Sequence, residues 1–333
     1  KIVEKIMELI SQPVTIREQE FFVTASLGVS IYPADGETVE ALMKNADLAM
    51  YISKNSGKNK YTICSTDMKE NALKKIKLTN ALYRAIERNE LLLYYQPQVS
   101  ISTKEIVGVE ALIRWNNPEF GMVQPSSFVP LAEKTGLINN IGCWVLRTAC
   151  MQIKKWQSMG LPLLRISVNI SVEQFRDRKL IDTVDKVLKQ TGFDAKYLEL
   201  EITESIAVEG EEHVVKVLHQ LKELGILISI DDFGMEYSSL GRLKALPIDQ
   251  LKIDMRFVQN ISKGNSKDEV IVRTIIQLAK NLDLNVIVEG IETEEQFRFF
   301  EKENCDEIQG YYFYRPMPAL ELEKILKNRR KKK

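Results

Sequence analysis

The sequence predicts an α/β protein: a (β/α)8 TIM-like barrel with an antiparallel first strand, preceded by a smaller partial α/β fragment. Three observations carry this reading. Candidate strands fall at 91–99, 106–115, 163–170, 197–202, 226–231, 248–253, 285–288 and near 306–309, and candidate helices at 126–134, 139–159, 174–191, 210–224, 266–282, 293–303 and 319–328. Eight strands alternating with helices over about 240 residues is the size and rhythm of such a barrel. The first two strands are joined only by Ser102-Thr103-Lys104, which allows a hairpin but no parallel crossover. Finally, polar residues recur where the strands end, and in a barrel those ends converge on one face.

Taken in order, residues 1–10 place Ile2, Ile6 and Leu9 at helical spacing, 21–31 read as a strand, and 37–54 as a helix after the turn Pro33-Ala34-Asp35-Gly36. Residues 67–89 carry Leu73, Ile76, Leu82 and Ile86 as one apolar stripe, the mark of a connecting helix. Expected boundaries are therefore 1–66 for the N-terminal piece, 67–89 for the connector, 90–328 for the barrel and 329–333 for a basic tail.

Composition narrows the chemistry. Lys plus Arg and Asp plus Glu balance at 46 each over 333 residues, so nothing favours a nucleic-acid polymer as partner, and Arg329–Lys333 reads as a solvated tail. Cys64, Cys143, Cys150 and Cys305 show no C-x-x-C spacing, which argues against a zinc site or a disulfide framework and suits the cytoplasm. No run of about 18 apolar residues appears, so no membrane contact is expected. The only histidines, His213 and His219, lie six apart on one helix, which disfavours Ser-His-Asp catalysis and His-rich metal sites. A metal here would be held by oxygen, which selects Mg, Mn or Ca.

The stretch Gly225-Ile226-Leu227-Ile228-Ser229-Ile230-Asp231-Asp232-Phe233-Gly234 reads as a doubly buried strand ending in two adjacent carboxylates. Desolvating such a pair is costly unless a cation or hydrogen bonds offset it. The D-F-G string is not that of a protein kinase, since no H-R-D-x-x-x-x-N or glycine-rich phosphate loop precedes it. Other strands end in Glu110, Asn169, Glu201, Lys252, Glu289 and Gln309. The carboxylates Glu110, Glu201, Asp231, Asp232 and Glu289 against Lys252 leave a charge that two divalent cations would neutralise. Two ions bridged by Asp231 would form a clamp for in-line phosphoryl displacement. Ile248, Leu251 and Ile253 imply that Lys252 is buried, where its pKa can fall beside metal ions.

Two resemblances emerge from these motifs. Val23-Thr24-Ala25-Ser26-Leu27-Gly28-Val29-Ser30, Tyr32-Pro33, Ala46-Asp47-Leu48-Ala49-Met50-Tyr51 and Gly57-Lys58-Asn59 resemble the C-terminal half of a GGDEF (diguanylate cyclase) domain, without its name motif. The part that would carry that motif is expected to precede Lys1. Glu110-Ala111-Leu112, Tyr95-Gln96-Pro97, Val168-Asn169, Glu201-Ile202-Thr203-Glu204, Asp231-Asp232-Phe233-Gly234, Leu251-Lys252-Ile253-Asp254, Glu289-Gly290-Ile291-Glu292 and Gln309-Gly310-Tyr311 resemble, in order, the EAL family of cyclic di-GMP phosphodiesterases.

That resemblance implies hydrolysis of cyclic di-GMP to linear pGpG with two Mg2+ or Mn2+ ions. It implies Glu110, Asn169, Glu201, Asp231, Asp232 and Glu289 as metal ligands, with Lys252 assisting the attacking water and Glu289 and Glu204 completing the catalytic group. Glu204 would anchor the loop after Asp232. Gln96, Arg114, Asp254 and Gln309 are the implied substrate contacts, and a homodimer through the barrel is the expected protein partnership. The family loop usually reads D-D-F-G-x-G-x-S-S, whereas Glu236 stands at the second Gly here. The alternative function is a catalytically degenerate domain that binds the dinucleotide as a receptor.

Overall fold

The computed structural model describes residues 1–55, 57–208, 212–235, 243–261 and 267–330. Glu236, Tyr237-Ser238-Ser239 and the tail from Lys331 lie outside them. Two compact units result, Lys1–Ala81 and Leu82–Lys333. Among the described residues no helix is long and apolar enough to cross a membrane.

In the first unit α1 (Ile2–Ile10) precedes a hairpin of β1 (Val14–Ile16) and β2 (Gln19–Phe21). β3 (Leu27–Val29), α2 (Val39–Asn55) and β4 (Tyr61–Ile63) form a βαβ unit with parallel strands. Ser53 Oγ fastens α2 to both strands, donating to the Leu27 carbonyl at 2.9 Å and accepting from Thr62 Oγ1 at 2.6 Å. A Cβ on Gly28 would collide with the Ala46 carbonyl and the Met50 backbone, so only glycine lets α2 sit this close.

Three expectations need correction here. The strand expected over 21–31 is broken, because Phe21 pairs back with Val14 and Leu27 starts a different sheet. The hairpin turn itself uses Arg17 and Glu18 at positive φ, residues that give no turn signal. The connecting helix, α3 (Thr66–Leu82), stops at Leu82, and residues 83–89 are turns.

The second unit is a closed barrel. β5 (Leu91–Ser100) pairs antiparallel with β6 (Ile106–Asn117), which also carries the short hairpin strand β7 (Gly121–Val123). From β6 the parallel ring runs through β8 (Arg165–Ile170), β9 (Leu198–Thr203), β10 (Leu227–Phe233), β11 (Gln250–Ile253), β12 (Asn285–Val288) and β13 (Glu307–Ile308). β13 closes the ring by pairing antiparallel with β5, as the short 102–104 link led one to expect for the first strand. β14 (Met317–Pro318) adds to β5 outside the ring.

Around the ring lie α4 (Pro125–Thr135), α5 (Leu137–Ser158), α6 (Val172–Arg176), α7 (Leu180–Thr191), α8 (Glu204–Val208) and α9 (Glu212–Glu223). After β11 come α10 (Met255–Val258), α11 (Lys267–Asn281), α12 (Glu294–Lys302) and α13 (Ala319–Arg330). The single helix expected over 174–191 is two. Asp177 is extended and its Oδ1 accepts from the Lys179 amide at 3.0 Å, a side-chain-to-backbone bond that competes with helix continuation.

Side chains alternate across each strand. The outward set, including Val109, Ile166, Val168, Leu198, Leu200, Ile228, Ile230, Leu251, Val286 and Val288, is buried under the helices and forms the apolar core. The inward set is largely polar: Gln98, Glu110, Ser167, Glu199, Glu201, Ser229, Gln250 and Lys252 are all buried. A barrel of this class is ordinarily filled by branched apolar side chains, so its lumen here is organised by hydrogen bonds and charge instead.

At the entrance to β5, the buried Glu90 accepts from Trp115 Nε1 and Asn117 Nδ2, each at 2.9 Å, and its backbone carbonyl accepts from the Asn116 amide. Glu90→Ala would leave two buried donors unpaired, at roughly 1–3 kcal/mol each. The expected loss of stability is about 2–6 kcal/mol, seen as a lower denaturant midpoint, with Glu90→Gln recovering much of it. An unchanged midpoint for the alanine variant would contradict this.

Candidate active site

The site lies at the end of the barrel where the parallel strands finish. Its centre is Lys252 of β11, fully buried, whose Nζ lies 2.7 Å from Glu201 Oε2, 2.7 Å from Glu289 Oε1 and 3.3 Å from Asp231 Oδ1. Burial disfavours the ammonium, but Asp231, Glu110, Glu201 and Glu289 outweigh it and hold Lys252 charged, well above the ordinary lysine range.

A second group surrounds Glu110. Its Oε1 accepts from Asn169 Nδ2 at 2.7 Å and its Oε2 from Gln309 Nε2 at 2.5 Å. Gln309 also donates to Gln96 Oε1 at 3.2 Å, and Gln96 donates to the Tyr314 carbonyl. These links join β5, β6, β8 and the residue after β13, which the sequence separates by as many as 213 positions.

Asp231 and Asp232 sit where the β10–β11 register shifts. A bulge of this kind re-aims a side chain, and Asp232 adopts φ 56°. The two neighbours consequently face different partners. Asp231 Oδ1 accepts from the Asp232 amide and meets Lys252, whereas Asp232 hydrogen-bonds Asp254. Burial and that bond push Asp232 up to about 7. Asp254 is raised by burial but lowered more by Arg256 and Asp232, so it stays below the usual range.

Asp254, an implied substrate contact, is buried, caps α10 through the Arg256 amide at 2.8 Å, and pairs with Arg256 Nε at 2.7 Å. Its surroundings suit it to holding Asp232. Arg114 stands on the same face of β6 as Glu110 but four residues on, over the Tyr94 ring at 5.4 Å and bonded to its own neighbour's carbonyl, apart from both clusters. Glu204 Oε2 accepts from the Gly234 and Met235 amides at 2.9 and 3.1 Å, fastening the start of the loop after Asp232.

The carboxylates are crowded. Burial, then the charges of Asp231 and Glu110 against partial relief from Lys252, push Glu289 up to about 8. Burial likewise raises Glu201, whose Oε1 is buried without a hydrogen-bond partner. Among the described residues no three Asp, Glu, His or Cys side chains form a ready-made cation cage, because the ammonium of Lys252 stands where three carboxylates converge. The donor chemistry nonetheless suits a hard divalent cation: carboxylate and amide oxygens, one of them buried and unpartnered.

Residues 79–316 match the EAL domain family. The chain belongs to the EAL family. Residues 1–60 match the diguanylate cyclase GGDEF domain, which accounts for the N-terminal βαβ unit. Among curated relatives, the bifunctional diguanylate cyclase/cyclic di-GMP phosphodiesterase MucR of Pseudomonas aeruginosa is 43% identical over 96% of this chain and 47% of its own length. The cyclic di-GMP phosphodiesterase NbdA of the same organism is 37% identical over 97% of this chain and 41% of its own. This EAL chain thus spans less than half of either relative.

A solved complex of the MucR phosphodiesterase with c-di-GMP superposes with TM-score 0.71 at 43% identity, covering 74% of this chain and 99% of that one. The EAL enzyme Bd1971 with cAMP and cyclic di-GMP bound matches with TM-score 0.71 at 32% identity, over 87% and 76% of the two chains.

Sequence reading missed the polar residues beneath the site: Gln98, Arg165, Glu199, Gln250 and Glu307. The signal was present as a period of two, in Arg165-x-Ser167-x-Asn169, Glu199-x-Glu201, Gln250-x-Lys252 and Glu307-x-Gln309. For Glu204 the expected outcome is local. Glu204→Ala should speed hydrogen exchange at the Gly234 and Met235 amides by about tenfold or more, with the strand amides of β9 unchanged. Unaltered exchange at those two amides would show that Glu204 does not hold the loop.

Proposed function

We propose that this EAL domain hydrolyses one phosphodiester of cyclic di-GMP to linear pGpG, using two divalent cations, Mg2+ or Mn2+. The observation that supports it most directly is the fully buried Lys252 held among Glu201, Asp231 and Glu289 at the strand ends. A receptor needs no ammonium at that depth, whereas attack on phosphorus by water needs a fixed donor beside the nucleophile. Glu110, Asn169, Glu201, Asp231, Asp232 and Glu289 would hold the ions. When bound, these would acidify water and stabilise charge on the phosphoryl oxygens.

The chain's own groups then divide the work. Lys252 orients the attacking water through an N–H donor and offsets charge as the new P–O bond forms and the P–O3′ bond breaks. Glu289, 21% exposed and the most open to solvent of the three carboxylates on Lys252, takes the proton that the attacking water loses and passes it to the leaving 3′-oxygen. Arg114, free of both clusters, pairs with phosphate oxygens in the two-pronged manner of a guanidinium. Gln309 holds Glu110, Gln96 holds Gln309, and both offer amide edges to the dinucleotide.

Lys252→Ala should lower kcat for cyclic di-GMP by about a hundredfold or more while leaving dinucleotide affinity within a few-fold. Glu110→Ala should weaken Mn2+ binding as well, and chelation should stop turnover until Mn2+ is restored. Near-normal turnover in Lys252→Ala would make this lysine structural. The receptor reading rests on Glu236, where the family loop has Gly, and it has its own test. Wild type should release pGpG at saturating Mg2+ or Mn2+, and Glu236→Gly should preserve or raise that rate. A silent wild type that binds cyclic di-GMP, with activity only in the Gly variant, would favour the receptor.

A further inference from the structure

At the opposite end of the lumen from Lys252, a single cation ties four strands together. The guanidinium of Arg165, on β8, meets Glu199 Oε2 of β9 at 3.0 Å, Glu307 of β13 at 2.5 and 3.1 Å, and Gln98 Oε1 of β5 at 3.0 Å. Ser167 Oγ donates to Glu199 Oε1 at 2.9 Å and accepts from Gln98 Nε2 at 3.4 Å. The amide nitrogen of Gln250, on β11, donates to Glu307 Oε2 at 3.4 Å or, with the amide turned over, to Glu199 Oε2 at 3.0 Å. A Cβ on Gly108 would come within 2.5 Å of Gln98 Oε1 and 3.4 Å of the guanidinium, so β6 makes room for the cluster.

Each member stands two residues below a group of the candidate site on the same strand. Gln98 lies under Gln96, Gly108 under Glu110, Ser167 under Asn169, Glu199 under Glu201, Gln250 under Lys252 and Glu307 under Gln309. Two residues along a strand is the spacing at which side chains return to the same face, about 6.6–6.8 Å higher. The lower cluster therefore fixes the mutual height and rotation of the strands that carry the upper one.

The barrel is weakest where this matters most. β13 has two residues and pairs with β5 at Glu307–Ser100 and Ile308–Val99, with the Ile101 amide on the Asp306 carbonyl next to them, and Gln309, the donor to Glu110, follows at once. Arg165 reaches across the lumen to Glu307 and Gln98, one on each side of that seam.

We propose that Arg165 is the positioning residue of the site: from the far end of the lumen it holds the β13–β5 seam closed and thereby sets where Gln309, Gln96 and Glu110 stand relative to Asn169, Glu201 and Lys252. Its consequence for metal binding and turnover rests on the phosphodiesterase reading; its consequence for geometry does not.

The test uses Arg165→Met, Arg165→Lys, and Arg165→Met combined with Glu307→Gln, the last because it removes a carboxylate left unpaired by the first. In 15N-labelled protein without metal or dinucleotide, the side-chain amide resonances of Asn169 and Gln309 should move in both Met variants and return towards wild type with Lys. Mn2+ affinity, measured without substrate, should fall about tenfold or more, as is usual when the support of a ligand is lost. kcat should fall in parallel with that affinity, while KM stays within about twofold of wild type. Folded variants whose Asn169 and Gln309 resonances and Mn2+ affinity match wild type would overturn the proposal and leave Arg165 a stability residue only. A wild type that neither binds Mn2+ nor cleaves cyclic di-GMP would sink the phosphodiesterase reading alone, while the amide resonances still decide the role of Arg165.

Discussion

An ammonium sealed among carboxylates governs this barrel. Lys252 is removed from water, and a lone charge at that depth would cost several kcal/mol. Glu201, Glu289 and Asp231 offset that cost for the lysine, and the lysine offsets it in part for them. Neither side is satisfied alone, since three carboxylates touch one ammonium. That excess of negative charge is the property on which any cation or phosphate chemistry at this end must draw.

Keeping so much charge inside demands that the apolar core be elsewhere. The strands answer by alternation: Ile166, Val168 and Ile170 face the helices while Arg165, Ser167 and Asn169 face the lumen, and β9 repeats the scheme with Leu198, Leu200 and Ile202 against Glu199, Glu201 and Thr203. Stability is concentrated between ring and helices, with α5 contributing Ile141, Leu146, Ile153 and Trp156. The lumen is left to carry polar groups that need fixed partners.

The sequence made the ring and the strand-end residues legible because both rest on local signals: apolar runs of strand length, and polar residues where those runs stop. The antiparallel first strand followed from three linker residues. The β1–β2 hairpin was hidden because Arg17-Glu18 lacks the Gly or Asn that usually announces positive φ. The break at Asp177 depends on one side chain capturing a nearby amide, which periodicity does not register. Asp254 entered only as a substrate contact implied by the family resemblance; the fold shows Arg256 and Asp232 on it. The tier around Arg165 went unread because attention to strand ends passes over the residues two positions earlier.

The reversed direction of β5 has a consequence for how the domain is wired. In a barrel of eight parallel strands the chain would enter the first strand at the face away from the catalytic loops. Here it enters at the opposite mouth, since Leu91 pairs with Trp115 near the finish of β6. Glu90, the last residue before the ring, is already bonded to Trp115 and Asn117, on either side of Asn116 and next to Arg114. A pull or twist applied to the incoming chain is therefore delivered to the rim that carries the candidate site, with no need to travel through the body of the barrel.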